Sequence, residues 1–175
     1  LFGDSSHDWR YNLCMSPRTL ILRAAGTNCD RETAYAFELA GAAPLRVHVN
    51  RLLERPGLLD EFQILAIPGG FSYGDDINSG RIFANQIMQH LGDAVRAFVA
   101  AGKPVIGICN GFQVLVKAGT LPGRADGAAE QTCTLAHNTS GRFIDRWVTL
   151  IPHGDKCIWT RGIGTIELPI AHGEG

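Results

Sequence analysis

Between Lys103 and Lys117 the chain reads Lys-Pro-Val-Ile-Gly-Ile-Cys-Asn-Gly-Phe-Gln-Val-Leu-Val-Lys, and few folds accept such a segment. An apolar run, Val105 to Ile108, ends in Gly107-Ile-Cys109-Asn-Gly111 and leads into residues that suit a helix. A chain that passes from strand to helix without a loop must turn sharply. The turn strains the residue at its apex and leaves no room for side chains two positions away on either side. Gly107 and Gly111 stand at those positions. The spacing is that of a nucleophile elbow, Gly-x-Nuc-x-Gly, with Cys109 at the apex. A helix starting after Cys109 points its N-terminus at the sulfur and offers backbone N–H groups, that of Asn110 first, to an oxyanion. A structural cysteine also fits a strand end, since free Cys is among the most buried residue types. The paired glycines and the strand–turn–helix order favour the nucleophile.

The rest of the chain alternates in the way such an elbow needs. Thr19-Leu-Ile-Leu-Arg23 is a short apolar run ending in the turn Ala25-Gly-Thr-Asn28. Asp30 is placed to cap a helix through Ala34, Phe37 and Leu39 that stops at Gly41. Leu45–Val49 alternates as a second strand, and Gln63–Pro68 forms a third that runs into Gly69-Gly70. Helices are expected over Ile82–His90 and Asp93–Ala101, closed by Gly102. Continuous apolar strands separated by helices predict an α/β protein with a mostly parallel sheet covered on both faces. Function in such sheets gathers at the carboxyl ends of the strands. Beyond Gly119 the pattern changes. A loop over Pro122–Gly127 precedes short alternating strands, Arg146–Ile151 and Thr165–Ile170, expected as antiparallel additions to the sheet. Residues 1–14 are polar and unpatterned and are expected to form a tail outside a single domain at 15–175.

Composition narrows the class. Lys and Arg number 16 against 17 Asp and Glu, with no basic run, so nothing points to nucleic acid or an anionic membrane. No apolar run is long enough to span a bilayer. The five cysteines, Cys14, Cys29, Cys109, Cys133 and Cys157, are odd in number and scattered, without zinc spacing. They suggest a reducing, cytoplasmic setting rather than a disulfide framework. Neither they nor the histidines predict a metal site. A cation at Asp75 and Asp76 is conceivable, but a solvated loop pair accounts for them. Trp147 and Trp159 are expected to be packing residues.

A second segment, Ile67-Pro-Gly-Gly-Phe-Ser-Tyr-Gly-Asp75, also lies at a strand's carboxyl end. There Gly70 could present a second N–H to the oxyanion, although Pro-Gly-Gly alone fits a plain strand-to-loop turn. Together with Leu22–Asp30, Gly107–Leu115 and Pro169-Ile-Ala-His-Gly-Glu-Gly175, it resembles the class I, triad-type glutamine amidotransferases. More narrowly, these motifs in this order resemble the glutaminase subunit or domain of phosphoribosylformylglycinamidine synthase, over about residues 18 to 175. The resemblance implies a flavodoxin-like fold in which Cys109 attacks the side-chain amide of glutamine. The thioester is then hydrolysed, with Gly70 and Asn110 as oxyanion donors and Gln113 helping to hold substrate. The plain alternative for Gln113 is a glutamine on the helix surface with no part in binding. The resemblance also implies a synthetase partner that uses the ammonia, with ATP and Mg, to convert formylglycinamide ribonucleotide to formylglycinamidine ribonucleotide. No cofactor is expected in this domain.

One departure matters. Triad amidotransferases take their base and its orienter from a His-Pro-Glu near the C-terminus, and no His-Pro-Glu occurs in this sequence. His172-Gly-Glu174 has the same spacing but resembles an earlier motif, and is expected to form a wall of the site or a contact with the synthetase. The expectation is therefore a chain lacking its final C-terminal elements, with apolar surface exposed and little activity on its own. Two alternatives remain. One is a non-catalytic remnant that docks a synthetase. The other is a cysteine-elbow protein of the DJ-1/PfpI kind, which would need an acidic residue where the first strand ends in Arg23-Ala-Ala-Gly.

Overall fold

The four apolar runs pair into one sheet, in the order β2 (Ala43–His48), β1 (Arg18–Arg23), β3 (Ile64–Ile67), β4 (Val105–Gly107), every pair parallel. The computed structural model describes residues 16–75, 79–123, 131–153 and 157–175. The expected tail at 1–14, Asp76 and most of the loop to Gly127 lie outside them. Alternation along β1 shows why both faces must be covered. Leu20 and Leu22 point into one core with Leu52, Phe83, Leu91, Phe98 and Val114, while Ile21 points the other way to Ala34 and Ala66. All three β1 side chains are fully buried, each contributing roughly 2 kcal/mol by leaving water. The smaller face is covered by α1 (Asp30–Leu39). The larger face takes α2 (Val49–Glu54), α3 (Arg81–Gln86), a π turn (Ile87–Leu91), α4 (Gly92–Ala100) and α5 (Asn110–Lys117).

Three local readings change. Asp30 is the first residue of α1 rather than its cap. Cys29 holds the cap position without a side-chain bond, because the Asp30 carboxylate accepts from Arg23 at 3.3 Å and Arg46 at 3.1 Å. Two guanidiniums from neighbouring strands outcompete one backbone N–H. Val49 begins α2 instead of ending β2, since His48 Nδ1 accepts from the Asn50 N–H at 3.2 Å and caps a helix there. The two helices expected between Ile82 and Ala101 run on as one path through the π turn.

The added strands, β5 (Ile144–Leu150) and β6 (Ile166–His172), form a separate antiparallel ribbon. Trp159 is the packing residue expected, donating from Nε1 to the Val105 carbonyl at 3.0 Å with its ring edge-on to Phe37. Trp147 is not. It stands 71% exposed on β5 opposite Pro169, on a face of the ribbon that no described element covers. No helix among the described residues is long and apolar enough to cross a membrane.

Candidate active site

In the order β2-β1-β3-β4 the chain leaves β1 toward β2 on one side and returns to β3 on the other. The carboxyl ends of β1 and β3 therefore form the crevice where open α/β sheets bind ligands. Three segments meet there: the turn after β1, the Pro-Gly-Gly segment after β3 and the elbow after β4. The first two are stitched together by an isolated bridge, Thr27 opposite Gly70, with the Phe71 N–H donating to the Gly26 carbonyl at 3.0 Å.

Cys109 sits at the apex of the elbow with φ 54° and ψ −113°, between the end of β4 and the first residue of α5. A non-glycine residue there costs about 1–3 kcal/mol, which the surrounding contacts must hold in place. The glycines on either side are required by contact. A Cβ on Gly107 would lie 2.5 Å from the Gly111 carbonyl oxygen, and one on Gly111 would lie 1.9 Å from that of Ile67. Close packing of α5 against β3 and β4 is thus what fixes the motif's spacing. The first-turn N–H groups of Gly111, Phe112 and Gln113 are taken up by the Ile108 and Cys109 carbonyls. The thiol itself is exposed, and among the described residues no side chain hydrogen-bonds it.

Gly70, expected as an oxyanion donor, has φ +130°, and a Cβ there would meet the Asn28 N–H nitrogen at 2.7 Å. The bridge to Thr27 is flanked by the Phe71 N–H bond to the Gly26 carbonyl, and no bond from the Gly70 N–H occurs among the described residues. Asn110 is nearly fully buried. Its Oδ1 accepts from the Ser72 hydroxyl at 2.7 Å and from the Ser72 N–H at 3.2 Å. Ser72 lies two residues after Gly70, so this pair ties together the two segments that carry the candidate donors. Ser72 falls within the Pro-Gly-Gly segment, but nothing local in the sequence reveals that role.

Gln113 does not stand free on the helix surface. Its Oε1 accepts from Asn110 Nδ2 at 3.1 Å, and its Nε2 donates to the Glu174 carbonyl at 3.0 Å. The Glu174 carboxylate bonds Lys117, at the far end of α5, and both side chains are 7% exposed. That places it two helical turns, roughly 10 Å along the axis, from the elbow. His172 Nδ1 is buried and has no hydrogen-bond partner among the described residues. With its carboxylate on Lys117, Glu174 is not hydrogen-bonded to His172 among the described residues. Backbone bonds from Asn138 to Gly173 and from Gly175 to Ala136 hold the segment as a wall of α5. Asn138 donates its side-chain amide to the Arg142 and His172 carbonyls, each at 2.9 Å.

A second thiol, unassigned by sequence reasoning, lies beside this site. Partial burial, Glu32, Cys109 and Asp30 together push the Cys29 thiol up from its ordinary value.

Residues 16–175 match the CobB/CobQ-like glutamine amidotransferase domain. The chain is 54% identical over 160 residues to the phosphoribosylformylglycinamidine synthase subunit PurQ of Dehalococcoides mccartyi, covering 90% of this chain and 62% of that protein. It is 50% identical over 171 residues to the PurQ subunit of Treponema denticola, covering 92% and 63%. The chain thus spans somewhat over three-fifths of these curated relatives. Among solved structures, PurLQS from Thermotoga maritima superposes with a TM-score of 0.70 at 34% identity, covering 92% of this chain and 68% of the other. A second Thermotoga maritima glutamine amidotransferase, at 16% identity and a TM-score of 0.56 over 91% of this chain and 61% of that one, shares the fold. The chain belongs to the CobB/CobQ-like glutamine amidotransferase domain family.

Proposed function

We propose that this chain is the glutaminase part of a phosphoribosylformylglycinamidine synthase. It would supply ammonia from glutamine to a synthetase partner that makes formylglycinamidine ribonucleotide with ATP and Mg. The observation that carries the reading is the strained Cys109 elbow held against the Pro-Gly-Gly segment. In this mechanism the Cys109 sulfur adds to the glutamine side-chain carbonyl, and the resulting oxyanion is held by the N–H groups of Gly70 and Asn110. Collapse expels ammonia and leaves a glutamyl thioester, which water hydrolyses. Gln113, His172 and Glu174 act as structure around the site, with Gln113 bracing the elbow helix against the C-terminal wall. The domain needs no cofactor of its own, and a reducing cytoplasm suits its exposed free thiols.

Proton transfer by a triad base contributes about 10²–10⁴-fold, and none of the described residues is assigned that role. These 175 residues alone are accordingly expected to hydrolyse glutamine slowly. The test supplies a synthetase lacking its own glutaminase with this chain, extended by any coding sequence that continues it, and measures product formed from glutamine or from ammonium. Cys109→Ala should abolish the glutamine-dependent reaction and spare the ammonium-dependent one. Equal glutamine-dependent rates with and without the Cys109 thiol would refute the reading.

A further inference from the structure

Gly69 is flanked by two cysteines. The position of its absent Cβ is 3.3 Å from Cys109 Cβ and 3.8 Å from Cys29 Sγ, so no side chain at 69 separates them. The arrangement is pinned from both sides: the Cys29 N–H donates to the Gly69 carbonyl at 3.4 Å, and the Ile108 N–H donates to the Ile67 carbonyl at 3.0 Å. Both thiols are free and exposed, so a small oxidant reaches either one. They come from segments 80 residues apart in sequence that the β1–β3–β4 order brings to one sheet edge.

We propose that Cys29 and Cys109 form a reversible regulatory disulfide, with Cys109 as the peroxide-reactive thiol and Cys29 as the resolving one. A peroxide oxidises the Cys109 thiolate to a sulfenic acid and is itself reduced, its second oxygen leaving as water. The Cys29 thiol then gives up its proton as its sulfur attacks the sulfenic sulfur, the S–O bond breaks, and the hydroxyl leaves with that proton as a second water. Two thiols and one hydrogen peroxide thus become one disulfide and two waters. A dithiol of the thioredoxin or dithiothreitol class restores both thiols by exchange. Partial burial and its acidic neighbours keep Cys29 mostly protonated, which suits a group that waits for the sulfenic acid rather than meeting the oxidant first. The bond would switch the nucleophile off, and it would divert Cys109 from irreversible sulfinic and sulfonic acids. The switch requires only Cys29 and the elbow's Cys109, whatever substrate Cys109 serves.

The experiment uses the whole chain, as wild type and with Cys14, Cys133 and Cys157 replaced by Ser, leaving only the proposed pair. Each is treated with hydrogen peroxide, and thiols are counted before and after dithiothreitol. The expected result is loss of two hydrogens in intact mass, loss of both titratable thiols, full recovery on reduction, and a linked peptide pair containing Cys29 and Cys109 in the wild-type digest. With Cys29→Ser, Cys109 should instead gain oxygen and fail to recover. Accumulation of sulfinic and sulfonic acid on Cys109 to the same extent with or without Cys29 would overturn the proposal, as would a Cys29 linkage only between two chains. Glutamine-dependent turnover is measured separately, so a protein that forms the disulfide without glutaminase activity refutes only the functional reading.

Discussion

Replacing Gly111 by alanine sets helix propensity directly against packing. Gly111 is the second residue of α5, where Ala is favoured over Gly by about 1 kcal/mol on propensity alone. The added Cβ would lie 1.9 Å from the Ile67 carbonyl oxygen, 2.6 Å from its carbon and 2.9 Å from the Pro68 oxygen, all backbone atoms of β3 and its exit. A backbone contact cannot be relieved by a rotamer change, so α5 must move off the sheet. Overpacking of this kind costs about 3 kcal/mol, at the upper end of the usual range. The net prediction is a loss of roughly 2 kcal/mol after the propensity gain is subtracted. Gly92, at the start of α4, is the control. There a Cβ meets only the mobile end of the Arg96 side chain, nearest at 3.2 Å, so Gly92→Ala should gain about 0.5–1 kcal/mol. Urea unfolding followed by circular dichroism measures both, with an unchanged slope showing that the same transition is compared. A Gly111→Ala midpoint at or above that of the parent chain would refute the close packing that explains the elbow's glycines.

Other expectations follow from the same contacts. Ser72→Ala removes the 2.7 Å bond to Asn110 and should cost about 1 kcal/mol of stability. It should also slow labelling of Cys109 by a glutamine-analogue electrophile while leaving Cys157 alkylation unchanged; Ser72→Thr, which keeps the hydroxyl, should restore the rate. Lys117→Met leaves the Glu174 carboxylate buried without its partner and should destabilise by about 3–5 kcal/mol, with much of that recovered in the double variant with Glu174→Gln. Thermal or urea unfolding of the two variants decides the point. Hydrogen bonds from Thr160 and Trp159 hold the Cys157 thiol below its ordinary value, while burial and neighbouring acids hold Cys29 above it. More Cys157 is therefore thiolate at any pH below the two values, and iodoacetamide near neutral pH should modify Cys157 before Cys29, as read by peptide mapping.

The parts of this site that were legible in the sequence are those in which one local segment carries the whole constraint. Gly107, Cys109 and Gly111 announce the elbow because strand, turn and helix are contiguous, and the two glycines meet atoms within or beside that unit. The parallel strands were legible for a similar reason, since burial on both faces makes each an unbroken apolar run. What escaped depends on segments that meet only after folding. Asp30 has the composition of a helix cap, yet Arg23 and Arg46, on different strands, claim its carboxylate. His172-Gly-Glu174 reads as a wall of the site, but the partner that holds the Glu174 carboxylate there, Lys117, lies 57 positions earlier and has no local signature. The Ser72–Asn110 bond and the Cys29–Cys109 approach span 38 and 80 positions and have no local signature.

Whether Cys109 is the glutamine nucleophile is decided by stoichiometric labelling with 6-diazo-5-oxo-L-norleucine, a glutamine analogue whose diazoketone alkylates a thiolate seated in a glutamine site. Intact mass and peptide mapping would be read with and without excess glutamine. A Cys109 nucleophile gives one adduct per chain, on Cys109, slowed by glutamine and abolished by Cys109→Ala. An adduct distributed over Cys29, Cys133 and Cys157 with Cys109 unmodified, or labelling of Cys109 indifferent to glutamine, would contradict it.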